Sequence, residues 1–217
     1  MAKRSYNQNC SLAYSLDVIG ERWTLLLIRE LLTGPQRFTD LLRNLPGIGT
    51  NLLAARLKEL EEVGVLERKT LPPPAASAVY DLTDLGCELQ PALVELVRWG
   101  SKLPRAPRGT EYSRPGWAIL AMHAAFQPEA AKGLKETYEF RIGDEVFYAR
   151  INDGTIETGE GHAGDPDLVI VADPQTWLDL ASAKLALVQA VASDTIRIEG
   201  DLAAVERLAQ VFDLPTD

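Results

Sequence analysis

The 217 residues are 46% hydrophobic and 24% charged, ordinary globular values that exclude extended disorder, and the length suits two domains of about 100 residues each. No apolar run reaches the ~18 residues of a membrane span, no apolar stretch follows the two basic residues near the N-terminus, and two cysteines build no disulfide framework, so the composition predicts a cytoplasmic protein. The net charge of −9 is unevenly spread: residues 1–110 carry 14 Lys and Arg against 12 Asp and Glu, a balance of +2, whereas residues 111–217 carry 8 against 19, a balance of −11. The second half should repel a polyanion, and the first is free to meet one.

In chain order, Leu12, Leu16 and Ile19 recur at helical spacing and stop at Gly20. Trp23–Leu32 is a strongly apolar helix closed by Thr33-Gly34-Pro35. Phe38, Leu41, Leu42 and Leu45 make a short helix ended by Pro46-Gly47. Thr50 is the expected N-cap of a helix that runs to Val63 and stops at Gly64. Val65–Thr70 and Ala78–Leu82 form a hairpin around a proline-rich tip, and Thr83 caps a long helix reaching Trp99. Two helices, a short helix, a turn, a helix, a hairpin and a helix make the order of a winged helix-turn-helix. Pro104 to Pro115 holds three prolines and no apolar periodicity. The predicted division is a domain at 1–103, a linker at 104–114 and a second domain at 115–217.

Winding residues 50–63 at about 100° per residue places Leu52, Leu53, Leu57, Leu60 and Val63 on a core side. Thr50, Asn51, Ala54, Ala55 and Lys58 fall on the other side. Small residues there let a helix enter the major groove of DNA, where Asn and Thr can read base edges and Lys can meet a phosphate. Arg56 projects from the core side and has two readings, a half-buried partner of a carboxylate or a phosphate clamp. Arg37 and Thr39 at the start of the preceding helix, and Arg68 and Lys69 on the first hairpin strand, are candidate phosphate contacts or ordinary solvated surface.

Five ordered motifs, Cys10–Trp23, Leu31–Phe38, Leu45–Ile48, Leu57–Gly64 and Tyr80–Gly86, resemble the HxlR family of winged-helix regulators over residues 10–100. The resemblance implies a homodimer built from the first and last helices and a pseudo-palindromic operator in double-stranded DNA. It also makes Cys10, at a helix start, a candidate redox-sensing thiol, set against the commoner fate of a packed cysteine. Ser11 stands where the family often has Pro, and the uncharged wing tip argues against strong minor-groove contact by the wing.

In the second half Thr137–Ile142, Glu145–Asn152, Thr155–Glu157, Leu168–Ala172 and Thr195–Glu199 read as strands, with tight turns at Gly143-Asp144 and Asn152-Asp153-Gly154. Helices are expected at Ala118–Phe126, Thr176–Ser182, Lys184–Ala192 and Asp201–Phe212. Asp153-Gly154, Asp165–Ile170 and Ile196–Asp201 resemble the sterol-carrier-protein domain over residues 115–212. This implies a five-stranded mixed sheet covered by helices and an apolar tunnel for fatty acyl or sterol-like molecules. The expected fold class is therefore α+β.

Gly159–Gly164 has the spacing G-x-G-x-x-G, but Pro166, nearby acids and a following strand make it a loop between strands. His123 and His162, the only histidines, have no metal-ligand company, so no metal and no cofactor is expected beyond an apolar ligand. His123 is expected to pack with a hydrogen bond, and Cys87 only to pack. The outer face of residues 50–63, together with the apolar pocket that the second resemblance implies, predicts a ligand-responsive DNA-binding regulator rather than an enzyme. The alternative is a carrier of lipid-like molecules whose winged helix serves dimerisation.

Overall fold

The computed structural model describes residues 5–73, 76–104, 112–182 and 184–214. Residues 105–111 of the expected linker and residues 74–75 of the hairpin tip lie outside them. The chain divides into two compact units, Met1–Leu93 and Val94–Asp217.

The first unit contains α1 (Ser11–Ile19), α2 (Thr24–Leu31), α3 (Phe38–Asn44), α4 (Thr50–Glu62), β1 (Leu66–Thr70), β2 (Ala78–Leu82) and α5 (Asp84–Cys87). The helix α6 (Gln90–Ser101) carries the chain into the second unit. The core of the first unit comes from Leu27, Ile28 and Leu31 of α2, Leu41 of α3, Leu53, Leu57 and Leu60 of α4, and Leu66, Val79 and Leu82 of the hairpin. Helix α2 starts one residue later than its apolar run because Trp23, its N-cap, takes φ +79, a left-handed conformation unusual for a bulky residue. Gln36 and Tyr80 exchange backbone hydrogen bonds of 2.9 and 2.8 Å, so the α2–α3 connection pairs with the wing.

The expected long helix from Thr83 to Trp99 is two helices. Thr83 caps only α5, its Oγ1 accepting from the Gly86 N–H. A proline in the interior of a continuous helix removes a hydrogen bond and clashes with the preceding turn, so the helix restarts at Gln90 with Pro91 in its first turn. Gly86 also fixes α5 against the wing: a Cβ there would lie 2.1 Å from the Val65 carbonyl oxygen.

The second unit continues with a 3-10 turn (Pro115–Trp117), α7 (Ala118–Ala125), β3 (Lys135–Ile142), β4 (Glu145–Asn152), β5 (Thr155–Glu160), β6 (Leu168–Ala172), α8 (Pro174–Ala181), α9 (Leu187–Ala192), β7 (Arg197–Gly200) and α10 (Ala203–Val211). The five strands stand in the order β5-β4-β3-β6-β7; β3 and β6 run parallel and the other pairs antiparallel. Asp153 and Gly154 both have positive φ, +45 and +80, as a two-residue type I′ turn requires between Asn152 and Thr155. The alternation of side chains puts Tyr138, Phe140, Ile142, Phe147, Ala149, Ile151, Leu168, Ile170 and Ala172 into one core with Met122, Leu187, Ala204, Leu208 and Phe212. Helix α9 begins three residues later than expected because the Lys184 and Leu185 N–H groups both donate to the Asp179 carbonyl at the end of α8. Strand β7 begins later because Thr195 Oγ1 donates to the Ala190 carbonyl of α9. Among the described residues no helix is long and apolar enough to cross a membrane.

Candidate nucleic-acid interface and ligand cavity

Helix α4 is held by one stripe. Leu53, Leu57 and Leu60 are at most 1% exposed, at the i, i+4, i+7 spacing of a single face. Thr50, Asn51, Ala54, Ala55 and Lys58 are all exposed and lie together on the outer side. Two expectations change here. Leu52 belongs to the open side, 36% exposed, and Val63 is only half-buried. Thr50 is the first helical residue, not the N-cap; Gly49 holds the extended cap conformation, φ −80 and ψ 148, with no side chain capping the turn. The first-turn N–H groups therefore rise beside Thr50 and Asn51 without a capping side chain between them and an incoming acceptor.

Arg56 lies apart from that face. Its Nη2 donates to Glu21 at 2.9 Å and its Nη1 pairs with Glu59, with the side chain 13% exposed. A guanidinium held by two carboxylates braces α4 against the turn that ends α1, which is the half-buried ion-paired reading of this residue. Lys58, by contrast, is exposed and lies 3.8 Å from Glu62, a loose pair that leaves its ammonium solvated.

The flanking cations divide similarly. Arg37 precedes α3 in extended conformation and donates from Nε to the Ser77 hydroxyl at 3.0 Å, tying α3 to the wing; Thr39 is exposed in the first turn of α3. Arg68 is exposed on β1 opposite Tyr80. Lys69 sits 3.0 Å from both Asp81 and Glu67, which raise its pKa to about 12, Asp81 first. Its charge is already matched twice within the wing. The structure thus brings Thr50, Asn51, Ala54, Ala55 and Lys58 together on one helix and gives Arg56 and Lys69 carboxylate partners. The Gln36–Tyr80 bridge that stiffens the wing has no signature in the sequence, because a single pair of backbone hydrogen bonds leaves no periodic pattern.

Cys10 and Cys87 are both exposed and free. Cys10 stands at the N-cap of α1, where the Ala13 and Leu12 N–H groups lower its pKa. At Cys87 desolvation, followed by the charges of Asp81 and Asp84, raises it.

The second unit holds an apolar cavity of about 130 Å³. Its walls are Ala118, Ala121, Met122 and Ala125 of α7; Phe140 and Ile170 of the sheet; Trp177, Leu180 and Ala181 of α8; Leu185 and Leu187; and Leu208, Phe212 and Leu214. None of these side chains is charged or carries a hydroxyl or amide; the one polar side-chain group is the Trp177 indole N–H. Trp177 packs edge-on against Phe147 and at a tilt to Phe140, with ring centroids 5.6 and 5.3 Å apart, while Phe140 and Phe147 stack at 5.2 Å. Sequence patterning identified the cavity-bearing elements but not the cavity, which is what side chains of four helices and a sheet leave unfilled.

The polar residues of this unit lie outside the cavity. His123 on α7 shares a 2.9 Å hydrogen bond with Thr158, and desolvation lowers its pKa. The glycine-containing loop after β5 is pinned to a buried carboxylate: Glu139, 1% exposed, accepts from the Ala163 N–H at 2.8 Å and from Arg141 Nε at 2.7 Å, and lies 3.1 Å from His162 Nδ1. Desolvation pushes the Glu139 pKa up, but the Ala163 N–H, Arg141 and His162 together bring it below the ordinary value. Among the described residues no group of three or more His, Cys, Asp or Glu could hold a metal ion.

Comparison with known proteins places both units. Residues 18–106 match the HxlR-like helix-turn-helix family, and residues 120–213 match the SCP-2 sterol transfer family. The HTH-type transcriptional regulator YodB of Bacillus subtilis is 39% identical over 88 residues, 41% of this chain and 79% of the relative. The uncharacterised regulator YvaP of the same organism is 38% identical over 88 residues, 41% and 82% of the two chains. The uncharacterised regulator Rv3095 of Mycobacterium tuberculosis is 40% identical over 99 residues, 46% and 62%. Among solved structures, the quinone-bound YodB of B. subtilis is 32% identical, covers 43% of this chain and 98% of its own, and has a TM-score of 0.38. The putative transcription factor PA1607 is 37% identical, covers 50% and 75%, and has a TM-score of 0.42. The chain is thus an α+β protein that belongs to the HxlR-like helix-turn-helix family of transcriptional regulators and carries an SCP-2 domain after its winged helix.

Proposed function

We propose that this regulator binds a pseudo-palindromic operator in double-stranded DNA as a homodimer, and that an apolar molecule in the SCP-2 domain changes its operator affinity. The observation that carries the reading is the outer face of α4, where hydrogen-bonding residues, two alanines and a solvated lysine share one side of a helix anchored by three leucines. Thr50 and Asn51 read base edges in the major groove, the alanines permit close approach, and Lys58 meets a phosphate. Arg37, Thr39 and Arg68 supply flanking backbone contacts. Arg56 contributes by bracing α4, and Lys69, already paired, contributes little.

Dimerisation is supported by apolar side chains that each unit leaves in solvent. In α1 only Ala13 is buried, while Leu12 and Tyr14 are 66% and 64% exposed; in α6 Leu96 and Trp99 are exposed. Exposed apolar side chains gathered on one helix mark an interaction surface when they form a contiguous patch. An effector that favours one dimer geometry over another alters the spacing of the two α4 helices and hence affinity.

The test is operator affinity across a salt series, with and without a panel of apolar compounds that includes long-chain acyl ligands. A steep fall in affinity with salt, and a shift on adding one class of compound, are expected. Affinity unchanged across the whole panel removes the effector from the reading. No salt-dependent DNA binding at all leaves a carrier of lipid-like molecules dimerising through its winged helix.

A further inference from the structure

The dimensions of the cavity point to a narrower ligand than an acyl chain or a sterol. We infer that the SCP-2 domain takes a single uncharged ring, a monocyclic aromatic hydrocarbon or a close analogue, and excludes long chains. This rests on the reading of that cavity as the effector site.

Size is the first argument. The cavity measures about 130 Å³. An apolar protein cavity of about 150 Å³ stays dry and binds benzene, and a water-sized group occupies about 30 Å³, so the space here suits one ring and not ten or more chain carbons. The wall is the second. Phe140, Trp177 and Phe212 offer aromatic edges and faces, and Met122 a polarizable sulfur, the partners a ring uses best. Among the described residues no lining side chain is charged or carries a hydroxyl, and the Trp177 indole N–H is the only side-chain donor, so a buried carboxylate would find no countercharge in the wall. Access is the third. Of the lining residues Ala121 on α7 and Ala181 on α8 are exposed, which puts the mouth between those two helices. A long chain could be enclosed completely only if the wall moved, and Trp177 of α8, packed on Phe140 and Phe147, ties that wall to the sheet.

The experiment titrates the full chain calorimetrically with toluene and, separately, with decanoate. It is repeated on Ala121→Phe, which fills the mouth, and on Leu180→Ala, which enlarges the cavity from α8. Toluene should bind at least about tenfold more tightly than decanoate. Ala121→Phe should weaken toluene by at least about tenfold, and Leu180→Ala should newly admit naphthalene. Thermal melts of both variants report folding; if Ala121→Phe does not fold, the naphthalene result for Leu180→Ala decides. Decanoate binding more tightly than toluene, no toluene binding to the parent, or toluene affinity unmoved by both variants overturns the inference. Operator affinity measured with each probe separates this inference from the function above. Toluene that binds and leaves DNA affinity unchanged keeps the ligand class and removes the regulatory link. Decanoate that shifts DNA affinity where toluene does not keeps the link and removes the class.

Discussion

The outer face of α4 and the cavity of the SCP-2 domain divide work between side chains in opposite ways. On α4 the burial falls to Leu53, Leu57 and Leu60, and the residues proposed to meet DNA are exposed and take no part in that core. In the second unit the residues proposed to meet a ligand also form the core: Phe140 is 1% exposed, belongs to the central cluster and lines the cavity. Stability and recognition are therefore separable in the first unit and inseparable in the second. Substitutions at matched positions should expose that difference.

The largest effect is expected at Phe140→Ala. It deletes a ring that stacks on Phe147 and contacts Trp177, and large-to-small changes of this kind cost about 3–5 kcal/mol. Urea unfolding of the second unit should report that loss together with altered ligand binding. A change below about 1 kcal/mol would show that the ring does not carry the packing assigned to it. Asn51→Ala is the counterpart. It should leave unfolding within about 0.5 kcal/mol of the parent, because Asn51 is exposed, yet remove about 1–3 kcal/mol of operator binding. Equal operator affinity in parent and variant would falsify the face assignment. Lys58→Ala should act more mildly and on all sequences alike, lowering the slope of log affinity against log salt by about one. Loss of discrimination between operator and random DNA, with the slope unchanged, would move Lys58 from a phosphate to a base.

The same contrast decides what could be read in advance. Elements set by alternation, by a short continuous apolar run or by turn chemistry were legible: β4 and β6 begin and end where their patterns do, and the Asp153-Gly154 turn has the two positive φ values its sequence demands. The five outward residues of α4 followed from angular position alone. Leu52 did not: the same winding put it on the core side, but at the margin of the stripe, one residue from Leu53, where the structure leaves it 36% exposed. The break between α5 and α6 was written in Pro91, whose effect an apolar repeat on both sides concealed. Pairings over long separations, Arg56 with Glu21 and the glycine loop with Glu139, have no local pattern to betray them. The cavity is less legible still, since it depends on where packing stops.

The smallest effect tests whether one residue of the first unit departs from this division. Cys10 and Cys87 are both exposed, so access does not rank them, and their thiols are displaced in opposite directions. Only the thiolate reacts with an alkylating agent. At neutral pH the Ala13 and Leu12 N–H groups leave Cys10 with the larger thiolate fraction, so Cys10 should be modified first. Raising the pH ionises Cys87 in turn, and because intrinsic nucleophilicity falls with pKa, Cys87 should catch up with and then pass Cys10 once both are thiolates. Iodoacetamide labelling followed by peptide mass spectrometry, run from neutral to strongly alkaline pH, reads both rates in one sample. A crossing of the two curves makes Cys10 the thiol primed to respond at neutral pH. Parallel curves would mean that the start of α1 does not tune it, and Cys10 would then be an exposed cysteine with no sensing role.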